Sequence, residues 1–262
     1  MEKIESKILS ILTELKENHG VVALKAEFEA EGASFDEVIL LKQYASEVGL
    51  NLTLKIGGCE AVRDIIDAKK IGVDSIVAPM IETPYALKKF ISAVTSVYDD
   101  VQLPRLFINI ETITGVENFD SIQESELFDK IDGVVIGRTD LLGSLGLSQD
   151  DSDINLLLDI SDNISKKIQQ LGKKIIIGGN ISANSYEFLK DLEFVSNFET
   201  RKVVFNSEVL STSMFSKCVN KAIEFEILWL ENKIAQQAQT DNLYIQRLNV
   251  LRSRYAKCFE IV

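Results

Sequence analysis

The chain has 262 residues, 46% hydrophobic and 26% charged, which is enough for one large α/β domain or two small ones, and one large domain is the expectation. A formal charge of −12 with a pI near 4.7 excludes a nucleic-acid footprint, because neutralising phosphates needs clustered Lys and Arg. No apolar run reaches membrane-spanning length, and the start Met1-Glu-Lys-Ile-Glu-Ser-Lys-Ile-Leu9 is an amphipathic charged helix, so a cytoplasmic protein with no membrane partner is expected.

Cys59, Cys218 and Cys258 have neither metal-type spacing nor an even count, and are read as small apolar residues in a reducing compartment. From Gly20 to Gly179 strand-like runs alternate with segments of helical period, the pattern of successive βα units around a parallel sheet. Seven strands are predicted, at 21–27, 51–56, 75–80, 106–111, 133–137, 174–178 and, less regularly, 194–205. Between them apolar residues recur at three and four spacing, as in Val38, Leu41, Ala45 and Val48 or Ile160, Ile164 and Ile168, which predicts an outer ring of helices.

An eight-stranded barrel needs one strand more. Either 194–205 holds two short strands across Glu199-Thr200-Arg201, or the N-terminal segment closes the barrel in another way. From Asn180 onward there is neither glycine nor proline, and a long helical tail is predicted. Its apolar stripe runs through Val219, Ile223, Ile227, Leu230 and Ile234, then Leu248, Leu251 and Tyr255, with a polar break at 239–242. The expected architecture is an α/β TIM (β/α)8-type barrel over 1–210 with a helical extension over 211–262. That extension either covers the barrel or pairs with another subunit, and a homo-oligomer interface is the expectation, since an isolated surface helix would leave Trp229 exposed.

Two apolar runs each lead to a carboxylate: Leu106-Phe-Ile-Asn-Ile-Glu111 and Gly133-Val-Val-Ile-Gly-Arg-Thr-Asp140. Residues at the C-terminal ends of barrel strands face the active-site mouth, so Glu111 and Asp140 are expected to converge there as metal ligands. Two oxygen ligands with positions left open for water and substrate suit Mg²⁺ or Mn²⁺ better than a closed, soft-ligand zinc site.

With those strand ends in place, the stretch from about Val21 to Gly146 resembles the HpcH/HpaI aldolase and citrate lyase family. The resemblance rests on Ala78-Pro-Met-Ile-Glu-Thr83, Asn109-Ile-Glu-Thr112 and Ile131-Asp-Gly-Val-Val-Ile-Gly-Arg-Thr-Asp-Leu141, closed by Gly143-Ser-Leu-Gly146. It implies a TIM barrel, a Mg²⁺- or Mn²⁺-dependent site on Glu111 and Asp140, and carbon–carbon lyase or aldolase chemistry through a pyruvate-type enolate of a small anionic 2-oxo acid. It further implies that the amides of Thr139 and Asp140 bind the substrate carboxylate, beside a close approach allowed by Gly137. Where the family has an Arg to steady the keto oxygen, this chain has Lys55, a point charge without the bidentate fork.

The departures from the family pattern matter equally. The family's acidic-His pair is absent, and the single histidine, His19, reads as a surface residue at a helix end. Lys25-Ala-Glu-Phe-Glu-Ala-Glu-Gly32 stands in the pair's place, and alternation puts Lys25, Glu27, Glu29 and Glu31 on one side if the strand runs that far. Glu29 is the candidate base, against the alternative of a solvated acidic loop. Glu82 is a candidate to orient a ligand or to favour a helix start, and Arg138 to contact an anionic substrate or pair with an acid. Asn109 and Asn180 are read as satisfying buried strand ends, with hydrogen bonding to substrate as the alternative, while Arg201 either closes over an anion or stabilises the fold. Two alternatives to the aldolase reading stand: a barrel that binds metal and an anion without catalysis, and a citrate-lyase-like acyl-CoA ester lyase.

Overall fold

The computed structural model describes residues 2–99, 102–148, 154–236 and 242–257. Helix α1 (Glu2–Asn18) precedes β1 (Val21–Glu27), α2 (Phe35–Val48), β2 (Asn51–Lys55), α3 (Val62–Ile71), β3 (Ser75–Ala78), α4 (Pro84–Tyr98) and β4 (Arg105–Ile110). Two short helices, α5 (Ile113–Glu117) and α6 (Phe119–Gln123), lead to β5 (Gly133–Gly137), α7 (Arg138–Ser144), α8 (Ile154–Gln170) and β6 (Lys174–Gly178). After α9 (Tyr186–Lys190) come β7 (Asn197–Glu199) and β8 (Val203–Asn206), then the tail helices α10 (Phe215–Gln236) and α11 (Asn242–Lys257).

The eight strands close into one barrel in chain order. Each neighbour from β1 to β7 is parallel, but β8 runs antiparallel to both β7 and β1. The cause is local: only residues 200–202 separate β7 from β8, a connection that can join antiparallel strands and is far too short for a parallel crossover. The predicted strand at 194–205 therefore does hold two, on either side of Thr200-Arg201-Lys202.

Strand alternation sorts the side chains. Leu24, Ala26, Leu52, Leu54, Ile108 and Ile110 face outward into the main core against the helices. Val77, Phe107, Val135 and Ile176 form a separate small cluster inside the barrel, which floors the mouth. The helix stripes behave as predicted, with Val38, Leu41 and Ala45 buried on α2 and Ile164 and Ile168 on α8. Ser34 and Glu37 form a reciprocal cap at the start of α2, and Gly49 ends it in the left-handed conformation with φ 71°.

The tail packs on its own chain, the first of the two courses open to it. Val219, Ile223, Trp229, Leu230, Leu248 and Leu251 are buried within this one chain. Tyr44 of α2 meets the Trp229 ring edge-on at 6.3 Å between centroids, and Lys233 of α10 pairs with Glu37 of α2 at 2.8 Å. Trp229 is 2% exposed, so the argument for a subunit interface drawn from its exposure falls away: its own chain covers the stripe. Replacing Trp229 by Ala is expected to cost about 3–5 kcal/mol, measurable by urea unfolding, because it empties a filled site between α10 and α2. A loss under about 1 kcal/mol would mean that the tail does not dock there.

His19 also departs from its surface assignment, at 2% exposure. Its ring nitrogens lie 3.3 Å from Glu14 Oε1 and 3.3 Å from Cys218 Sγ, so it ties the end of α1 to α10. Cys218 is buried and Cys59 half-buried, as small apolar residues would be, and Cys258 lies outside the described residues. Among the described residues no helix is long and apolar enough to cross a membrane.

Candidate active site

Strands β1 to β7 all point their C-terminal ends to one mouth, which gathers Lys25 and Glu27 of β1, Lys55 of β2 and Glu199 of β7 around the residues that follow β4 and β5. They line a cleft of about 370 Å³. Two strand-to-helix turns hold the acids with little slack. Glu111 directly follows β4, and Thr112 then caps α5 by accepting from the Gly115 amide. Asp140 lies in the first turn of α7, which starts directly after β5.

Glu111 is 2% exposed and fixed by three donors. Lys55 Nζ reaches its Oε2 at 3.1 Å, Asn109 Nδ2 the same oxygen at 2.6 Å, and the Met80 amide its Oε1 at 2.9 Å. Met80 takes the left-handed region, with φ 46°, a strained conformation for a side chain of its size. Gly137 makes room for the carboxylate. A Cβ there would stand 2.7 Å from Glu111 Cβ and 2.8 Å from its Oε2. Gly137→Ala is accordingly expected to displace Glu111 and lower Mn²⁺ affinity by roughly ten-fold or more, as read by calorimetry; unchanged affinity would show that Glu111 has another place to go. Gly178, paired with Gly137 in the sheet, makes the same room for Glu199.

Burial first, and then the negative charge of Glu111, push the Asp140 carboxyl above its ordinary pKa, while Lys55 works against the rise. Two acids this close, one of them raised by the other, form a place where a cation is welcome. Asn109 Oδ1 is buried beside them with no hydrogen-bond partner among the described residues. No group of three or more His, Cys, Asp or Glu side chains among the described residues is arranged to hold an ion, so a cation here would rest on two carboxylates and keep positions for water or substrate. That donor set fits Mg²⁺ or Mn²⁺.

The lysines are charged, not nucleophilic amines. Burial opposes the Lys55 charge, but Glu111 at 3.1 Å and Glu29 at 2.6 Å outweigh it and raise its pKa. At Lys25 burial is again outweighed, by Glu199 at 2.5 Å and Glu27 at 2.9 Å, and its pKa is held well above the ordinary range. Neither suits Schiff-base formation, which needs a neutral amine. Glu27 is buried too, but Lys25, then Arg201 and Lys55, overcome that burial and bring its pKa down to about 2.

The strand ends at Glu27, so strand alternation does not extend over 28–31; Glu29 pairs with Lys55 and Glu31 with Lys202 at 2.5 Å from the turn that follows β1, and neither glutamate lines the cleft. Two other candidates move out of the cleft. Glu82 accepts from Thr112 Oγ1 at 2.6 Å, which ties the end of β3 to the cap after β4. Arg138 turns away from the mouth and donates to the carbonyls of Gly178 and Gly179, with its guanidinium 4.5 Å from the Phe188 ring centroid. Burial lowers its pKa to about 10. Arg138 therefore joins the β5 and β6 ends and contacts carbonyls where a substrate anion or an acid was expected. Thr139 and Asp140 line the cleft, as do Asn109 and Asn180. Sequence reasoning missed Glu199, whose signal was an acid at the end of a short buried run, opposite a glycine. It also missed Glu226 and Arg247 of the tail, which line the cleft and pair with each other.

The fold and the site together define an eight-stranded α/β barrel whose mouth brings Glu111 and Asp140 together. Residues 36–180 match the model of the HpcH/HpaI aldolase/citrate lyase family, more than half of the chain, and the protein belongs to that family. Its fold is similar to that of an HpcH/HpaI aldolase/citrate lyase family protein from Burkholderia cenocepacia J2315, with TM-score 0.56 and 15% identity over 72% of this chain and 82% of that one. The HpcH/HpaI aldolase from Desulfitobacterium hafniense DCB-2 gives TM-score 0.56 and 14% identity over 74% and 82%, and the citrate synthase SbnG gives 0.54 and 16% over 74% and 81%. No curated protein sequence matches the chain.

Proposed function

We propose that the protein is a divalent-metal-dependent carbon–carbon lyase or aldolase that works through a pyruvate-type enolate of a 2-oxo acid. The observation that carries this reading is the Glu111–Asp140 pair at the mouth, with the charged Lys55 bonded to Glu111. Mg²⁺ or Mn²⁺ held by these two carboxylates would supply Lewis-acid stabilisation of the negative charge that develops on the keto oxygen.

The chain's own residues do the remaining work. Lys55, kept protonated, is placed to donate to that oxygen. The amides of Thr139 and Asp140 offer donors for the substrate carboxylate, and Asn109 orients Glu111. Glu29, at the outer side of Lys55, is the base. In the cleavage direction it takes the hydroxyl proton of the adduct, the carbon–carbon bond breaks with release of an aldehyde, and the bond's electron pair passes into the enolate. A proton returned to the enolate carbon gives the 2-oxo acid. The same enolate serves bond formation in the opposite direction, the direction in which the fold neighbour named citrate synthase works.

A second reading, binding without catalysis, is favoured by the low basicity of Glu27 and by the position of His19 outside the cleft. Release of pyruvate from 4-hydroxy-2-oxo acids, coupled to NADH oxidation by lactate dehydrogenase, separates the two. The proposal expects turnover with Mg²⁺ or Mn²⁺ that stops with chelator and falls about 10²-fold or more in Glu29→Gln. Metal-independent turnover would overturn it.

A further inference from the structure

The end of the barrel opposite the active-site mouth holds a second cavity, of about 330 Å³, beneath the apolar cluster of Val77, Phe107, Val135 and Ile176. We propose that this cavity is a binding site for a phosphate group, built on Arg105, Lys174, Thr53 and Ser75. It stands apart from the enolate chemistry at the mouth and does not depend on it.

Strand register puts these side chains inside the barrel. Residues two apart on a strand share a face, and Ser75, Arg105 and Lys174 stand two residues before Val77, Phe107 and Ile176 of the cluster. They therefore point inward, one level nearer the N-terminal ends of the strands. Ser75 pairs with Thr53 on β2 and with Arg105 on β4, so these three are neighbours in the ladder. Lys174 pairs with Gly133 on β5, the strand between β4 and β6. Gly133 stands two residues before Val135 and brings no side chain to this level, which leaves the interior open between Arg105 and Lys174.

All four residues line the cavity with hydrogen-bonding capacity unspent. Thr53 is 7% and Ser75 2% exposed, yet neither hydroxyl bonds to a protein group among the described residues. Arg105 and Lys174 likewise have no ion pair and no side-chain hydrogen bond among the described residues, in a chain where 40 acidic residues face 28 basic ones. The aspartates whose carbonyls receive their amides are committed elsewhere. Asp74 Oδ2 accepts from Lys42 Nζ and from the Leu52 amide, each at 2.7 Å, and Asp132 Oδ2 accepts from the Leu106 amide at 2.7 Å. Neither aspartate lines the cavity. Of the described residues that do, only Glu199 is acidic, and Lys25 holds its charge at 2.5 Å.

The donor set selects the ligand. A phosphate group carries a charge of about −1.5 to −2 at neutral pH and at least three strong acceptor oxygens. A guanidinium fork, an ammonium and two hydroxyls, supplied by four separate strands, can reach several such oxygens at once, and the two positive charges match a dianion. A carboxylate has one charge and two oxygens in a plane, and would leave a cation and at least one hydroxyl unused. The same group occurs in the free ion and in phosphate monoesters of small metabolites.

The test is calorimetry on the full chain, with chelator present to keep divalent cations off Glu111 and Asp140, and with ionic strength held constant by sodium chloride. Inorganic phosphate, glycerol 3-phosphate and acetate are titrated in turn. At least one of the two phosphate compounds is expected to bind with a Kd of about 1 mM or below and roughly ten-fold or more tightly than acetate. The tighter of the two identifies the source as the free ion or an ester. Arg105→Gln and Lys174→Gln should each weaken that binding roughly ten-fold or more, the range of a charge-assisted hydrogen bond, whereas Arg201→Gln at the mouth should leave it unchanged. Lys174 is exposed at the rim, so its variant keeps the fold, and circular dichroism verifies that of Arg105→Gln. No phosphate binding at about 10 mM, acetate binding as tight as phosphate, unchanged affinity in Lys174→Gln, or loss of binding in Arg201→Gln overturns the site.

Discussion

Replacing Asp140 by Ala, or Glu111 by Gln, should abolish Mn²⁺ binding at micromolar concentration and lower metal-dependent turnover by about 10³-fold or more, on the several kcal/mol that a Lewis acid contributes to developing oxyanion charge. The two variants are expected to differ in stability. Burial and the charge of Glu111 both work against the ionised Asp140, so Asp140→Ala leaves the barrel nearly as stable as before. Glu111 holds Lys55, Asn109 and the Met80 amide, so removing its charge while keeping its shape leaves a buried ammonium with Glu29 alone. Glu111→Gln should therefore also cost about 1–3 kcal/mol. Calorimetry with Mn²⁺ and urea unfolding read the two effects separately. Retained metal affinity in both variants would remove the cation from the account.

Replacing Lys25 by Met should destabilise the fold by about 3–5 kcal/mol at neutral pH, because it leaves Glu27 and Glu199 as buried charges without their shared cation. The pH dependence follows from the Glu27 pKa. In the folded chain it is brought down to about 2 from an ordinary 4.5, so its contribution is fully present above the unfolded value and is lost as the pH falls through the folded one. The parent protein should lose stability between about pH 4.5 and pH 2, whereas Lys25→Met should be stabilised, relative to its own neutral value, as the orphaned Glu27 takes up a proton. Parallel pH–stability curves for the two proteins would contradict this assignment. The raised Lys25 pKa gives a loss only as pH rises beyond the usable range, so no alkaline counterpart is expected.

How much of this was legible in the sequence depended on whether the determining contacts were local. Strands 21–27, 133–137 and 174–178 coincide with β1, β5 and β6, because buried parallel strands bounded by turns write themselves as continuous apolar runs. The convergence of Glu111 and Asp140 was legible too, since a strand end fixes a side chain at the mouth of a barrel. The pairing of Lys25 with Glu199 was not, because it joins residues that only barrel closure brings together. Arg138 misled for a related reason: its position beside Asp140 is local, but the carbonyls of Gly178 and Gly179 that receive it belong to the next strand. Glu82 was drawn off in the same way by Thr112. The tail stripe was correct in its spacing, yet a stripe does not encode which surface covers it, and α1 and α2 of the same chain do so here.

The central claim, a metal-dependent enolate at Glu111 and Asp140, is tested most directly by proton exchange, which needs no knowledge of the aldehyde partner. Pyruvate and several longer 2-oxo acids in deuterium oxide are followed by NMR with the protein, first with Mg²⁺ or Mn²⁺ and then with chelator. The account predicts exchange at the carbon next to the keto group that is faster than with metal alone, ceases on chelation, and is absent in Asp140→Ala. Exchange that persists with chelator, or none with any of the 2-oxo acids in the presence of metal, would contradict it.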